Sequence, residues 1–117
     1  METRVEIVAY VRREESMMEF AYPLKKVWAC IPKALVNLGW IVELVDDVAH
    51  RVKVKTQSGL MAWGSVFLID AVAINAKATR VSVAAETPVT AITGLVDFGR
   101  TGQRIDLFFQ ELQKQLS

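Results

Sequence analysis

Apolar residues along this chain change their spacing several times, and each change marks a boundary between elements. Val5, Ile7, Ala9 and Val11 alternate with mostly polar neighbours, the period of a half-buried strand. Arg12 to Ser16 then reads as a polar break, and Met17 to Tyr22 as a second extended run. Strand, turn, strand is the reading favoured here over a short N-terminal helix. Tyr22-Pro23 marks a helix start, because proline is tolerated where a backbone N–H has no helical partner. Val27, Ile31, Leu35 and Leu38 recur at helical spacing with Ala34 beside them, and Gly39 follows where a left-handed cap is needed. Pro32 falls inside this helix and is expected to kink or divide it, since it removes one ladder bond.

After Gly39 the period drops to two. Trp40, Val42 and Leu44 are expected on one face of a strand, with Ile41, Glu43 and Val45 on the other. Asp46-Asp47 supply a turn, and Arg51 to Thr56 alternates with Val52 and Val54 inward and Arg51, Lys53 and Lys55 toward water. Ser58-Gly59 and Gly64 bracket a loop carrying Leu60, Met61 and Trp63. A long strand from about Val66 to Ile74, a turn at Asn75 to Thr79 and a strand from Arg80 to Thr87 follow, closed by Pro88. Val89 to Gly102 shows no clear period. Ile105, Phe108, Phe109, Leu112 and Leu116 then form the stripe of an amphipathic helix, with Asp106, Glu111 and Lys114 off it.

The order is β-α-β-β-β-β-α over residues 1–117 as one domain. Successive strands without crossover helices pair antiparallel, so the expected class is α+β: an antiparallel β-sheet packed against two α-helices. The helices cover one face, and Arg51, Lys53 and Lys55 leave the other. A chain of 117 residues can bury a core without staples, and 52% hydrophobic residues with 23% charged describe a well-filled globule.

Charge narrows the partners. Fourteen basic and 13 acidic residues leave a net charge of +1, too little to draw in a nucleic acid or an anionic membrane surface. No apolar run is long enough for integral membrane association, and Met1-Glu2-Thr3-Arg4 does not open a signal peptide. One cysteine, Cys30, allows no internal disulfide and suits a cytoplasmic location.

Several short motifs carry a resemblance. Leu38-Gly39-Trp40 ends a helix before a hairpin with an acidic turn, Trp63-Gly64 precedes a long strand, and Asp97-Phe98-Gly99-Arg100 opens the last helix. In these the chain resembles small prokaryotic proteins of the minimal helix-grip architecture, shared in outline by TATA-binding-protein-like and Bet v 1/START-like folds. That resemblance implies a sheet wrapped around the C-terminal helix. It also implies a small apolar or lipid-like ligand held between them, as in the larger START-like relatives. This chain is shorter than those relatives and has less room for a closed cavity.

Chemistry-bearing residues are few. His50, the single histidine, follows Asp46-Asp47 in a turn with no serine or cysteine nucleophile at a useful spacing. With one histidine and one cysteine no metal site is expected, and no cofactor motif is present. Cys30 next to Ile31 reads as a buried thiol. Gly99-Arg100-Thr101-Gly102-Gln103-Arg104 combines a helix start with two guanidinium groups, a pattern suited to an anion, or simply to a turn capped by Asp97 or Thr101. Asp70 interrupts an apolar strand, and Trp63 sits at an apolar loop tip that could pair with Phe98 at a pocket rim. Trp63, Asp70, Phe98, Arg100 and Arg104 are thus the candidate ligand-binding residues, and no residue is assigned as catalytic.

Three functions remain open on these grounds. The first is non-catalytic binding of a small apolar or amphipathic ligand between sheet and C-terminal helix. The second is an interaction module or homodimer using an exposed strand edge or the Trp63 loop. The third is an enzyme using Asp70, His50 or the Arg100/Arg104 pair, against which stands the lack of a nucleophile–base pair at a known spacing.

Overall fold

In a computed structural model of the chain, residues 11–56, 66–88 and 100–117 are described, with side chains for 15–56, 66–85 and 102–117. The expected strand around Val5 and the Trp63 loop lie outside these residues. Strand β1 is Val11–Phe20, ten residues paired antiparallel with a later strand from Val11↔Pro88 to Phe20↔Thr79. The expected polar break at Arg12 to Ser16 is therefore wrong. β1 lies at a sheet edge, where charged side chains reach water without disturbing the backbone ladder.

Helix α1, Leu24–Leu38, starts directly after Pro23, which is extended at φ −63° and ψ 152°. It buries Val27, Cys30, Ile31, Ala34 and Leu35. Pro32 does not divide it. The ring points to solvent, and the missing N–H costs one bond to the Trp28 carbonyl that burial of the opposite stripe offsets. Gly39 ends the helix at φ 73°, a left-handed conformation that glycine adopts without a Cβ penalty. Its N–H donates to the Val36 carbonyl and that of Trp40 to the Leu35 carbonyl, both at 3.1 Å. These paired bonds satisfy two carbonyls of the last turn and aim Trp40 into the core.

Strands β2 (Ile41–Asp46), β3 (Arg51–Lys55), β4 (Val66–Asn75) and β5 (Ala78–Pro88) follow. The sheet order is β1-β5-β4-β3-β2, all pairs antiparallel. β2 departs from the expected alternation. Val42 pairs with Val54 and Leu44 with Lys53, so Glu43 is an extra residue that shifts the register. Val42 and Val45 consequently share the face of Val54 and Val52, while Ile41 and Leu44 join Lys55 and Lys53 on the other.

One face of the sheet holds Val52, Val54, Phe67, Ile69, Ala71, Val81, Val83 and Ala85, all buried. Helix α2, Arg100–Leu116, covers it together with α1 and buries Ile105, Phe108, Phe109, Leu112 and Leu116, the expected stripe. Burial of Phe67 and Phe108 contributes about 2–3 kcal/mol each. Two bonds tie the helices together: Asn37 Nδ2 donates to Glu111 Oε2 at 2.8 Å, and the Cys30 thiol donates to the Gln115 carbonyl at 3.7 Å. Buried Thr79 is satisfied by donating its hydroxyl to the Tyr22 carbonyl at 2.8 Å. As expected, Arg51, Lys53 and Lys55 point from the opposite face to solvent. No helix among the described residues is long and apolar enough to cross a membrane.

Candidate functional site

The space directly under the middle of the sheet is filled by aromatic rings. Trp40 stacks on Phe67 with centroids 4.8 Å apart and on Phe108 at 6.1 Å. Phe108 packs on Phe109 at 5.7 Å, and Phe109 on Phe20 at 6.3 Å. This chain of rings fills the space between the sheet centre and α2.

An opening does lie between the β1 edge and α2. A groove of about 390 Å³ is lined by Met18, Asp106, Phe109, Gln110 and Gln113. Met18 pairs with buried Val81, so its side chain leaves β1 on the helix-covered face, yet it stays 44% exposed because β1 is the edge. The α2 residues follow the i, i+3, i+4, i+7 spacing that puts side chains on one helical face. Phe109 and Met18 make an apolar floor. Asp106, Gln110 and Gln113 bring a carboxylate and two amides to the rim, able to accept from and donate to a polar group. These residues suit an elongated molecule with one apolar side and one polar side.

The residues expected from sequence are spread more widely. Asp70 is half-buried on β4 between Ile69 and Ala71, which face the helices, so it points from the opposite face. There its carboxylate accepts from Arg51 Nε at 2.5 Å, and the bond holds the guanidinium pKa above its ordinary value. Arg104 is half-buried in α2, two residues before Asp106, a helical rotation of about 200° from the groove. Arg100 opens the helix, its side chain outside the described residues, as are Trp63 and Phe98. Asp70 and Arg104 are thus not brought together with each other or with the groove lining.

The acidic turn has a structural task. Asp46 Oδ1 accepts from the N–H groups of Val48 and Ala49 at 3.0 Å each, and these bonds, Ala49 first, lower its pKa. Asp47 accepts from Trp28 Nε1 at 3.0 Å, and His50 meets Trp28 edge-to-face at 5.3 Å. His50 adopts a left-handed φ of 55° and is half-buried, an anchored residue of the turn. Among the described residues no three histidine, cysteine, aspartate or glutamate side chains cluster to hold a metal.

Met18, Gln110 and Gln113 were not legible as site residues. Met18 is separated from the two glutamines by most of the chain, and only the polar spacing Asp106, Gln110, Gln113 beside the apolar stripe hinted at a second face.

No protein-family model matches the chain, and no curated protein does. Solved structures match over nearly its whole length. Truncated norcoclaurine synthase from Thalictrum flavum superposes with a TM-score of 0.69 at 13% identity, covering 89% of this chain and 92% of that one. A START superfamily protein from Mycobacterium smegmatis gives 0.65 at 8% identity, with 89% and 96% covered. The same synthase solved in complex with dopamine and hydroxybenzaldehyde gives 0.61 at 12% identity, with 97% and 94% covered. At these identities the likeness is one of fold, and the chain has the Bet v 1/START-like helix-grip fold.

Proposed function

We propose that this chain is a non-catalytic binding domain that takes one small apolar or amphipathic molecule in the groove between β1 and α2. The observation that carries the reading is the lining itself: an apolar floor of Met18 and Phe109 under a rim of Asp106, Gln110 and Gln113. The fold adds weight, since a protein of similar architecture was solved holding dopamine and hydroxybenzaldehyde. The aromatic filling of the sheet centre supports a ligand at the edge, half covered rather than enclosed. The described lining offers a single titratable group, Asp106, and a binding role asks for no more.

A titration with an amphipathic fluorescent dye, anilinonaphthalene sulfonate, tests it. Emission should rise and saturate at one dye per folded chain, and Met18→Arg, which sends a long side chain across the groove, should abolish the rise. An unchanged titration in that variant, with the thermal midpoint unchanged, would reject the groove.

A further inference from the structure

The two edges of the sheet are built differently. β1 carries Arg12, Arg13, Glu14, Glu15 and Glu19, the charged pattern that keeps an edge from pairing with other chains. β2, at the other edge, exposes Ile41 at 52%, Leu44 at 64% and Val45 at 53%. Among the described residues nothing pairs with its outer side. Beside it a small, wholly apolar groove of about 70 Å³ opens between Pro32 and Leu35 of α1 and Val42 and Val45 of β2. We propose that β2 is the seam of a homodimer, in which a second copy pairs its own β2 antiparallel across a two-fold axis.

The residue pattern of β2 is self-complementary. With Val42 opposite the partner's Val45, Ile41 falls opposite the partner's Asp46, and the two extra residues at Glu43 meet near the axis. Faces then match: Val42 and Val45 of both copies lie on the helix-covered side, and Ile41 and Asp46 on the other. This is the symmetry an isologous contact requires. Within one chain Ile41 neighbours Lys55, and Asp46 neighbours Arg51. Pairing therefore builds rows that run Lys55, Ile41, the partner's Asp46, the partner's Arg51, alternating base and acid around an apolar step. A free edge strand of another protein would need to bring such a match, whereas a second copy carries it already. The bulge at Glu43, a device that often blunts edges, is placed where the two-fold sets it against its own image.

Sedimentation equilibrium of the whole chain tests this. An edge of six residues makes an interface at the small end of the range, so half-association is expected between about 10 µM and 1 mM. The mass should climb from 13.1 kDa toward that of two chains. Ile41→Glu, at an exposed position beside Lys55 of its own chain, sets a second carboxylate opposite the partner's Asp46 and should raise the dissociation constant about tenfold or more. Val72→Lys, equally exposed but on the central strand β4, should leave it unchanged. A 13.1 kDa mass at every concentration would overturn self-pairing and leave the edge for a strand of a different protein. Association lost with Val72→Lys but kept with Ile41→Glu would overturn it as well.

Discussion

Trp40 lies almost flat on Phe67, ring centroids 4.8 Å apart and planes 15° from parallel. The indole reaches that position because Gly39 turns the chain sharply at the end of α1, and the stack closes the centre of the sheet. Two consequences follow for stability, and the filled centre is the reason the proposed ligand is sought in an edge groove.

Phe67 is fully buried in this stack, so Phe67→Ala removes its transfer energy and leaves a void under Trp40. A loss of about 3–5 kcal/mol is expected, read as a fall in the urea midpoint. A loss below about 1 kcal/mol would mean that the ring is not packed as described.

Gly39 holds φ 73° while its N–H serves the Val36 carbonyl. Gly39→Ala keeps the bond but adds a Cβ in the left-handed region, costing about 1–2 kcal/mol. The same urea experiment reads the fall in the midpoint.

Glu111 joins the helices by accepting from Asn37, its largest interaction, and from Gln115. These bonds hold its pKa below the ordinary 4.5. The folded state therefore binds this proton less readily than the unfolded state. Its contribution is present in full above about pH 4.5 and is lost as pH falls through the lower folded value. Glu111→Gln should flatten the decline in stability on the acid side of pH 4.5 and leave the slope near neutrality unchanged. Thermal midpoints measured from pH 3 to pH 7 distinguish the two cases.

Much of the architecture was legible because it rests on local rules. The stripe from Ile105 to Leu116, the Gly39 cap and the alternation of Val52 and Val54 all express periods that a linear reading detects. The errors arose where position in the sheet overrode local pattern. Arg12 to Ser16 looked like a break because charge is scarce in central strands, but β1 is an edge. The inserted Glu43 reversed the faces of Leu44 and Val45, and no residue in β2 announces a bulge as a glycine would. The groove was hidden for a different reason. Met18 and Gln110 meet only when β1 and α2 pack, and neither residue type signals binding when read alone. Asp70 drew notice as a lone carboxylate in an apolar strand, and Arg51 opposite it on β3 accounts for its presence.

The central claim is that the β1–α2 groove holds a small molecule, and native mass spectrometry of freshly purified protein tests it most directly. The expected spectrum shows an added mass on the 13.1 kDa chain that disappears on denaturation and is absent from Met18→Arg. A bare chain mass in the wild-type protein, whether as monomer or dimer, would contradict it.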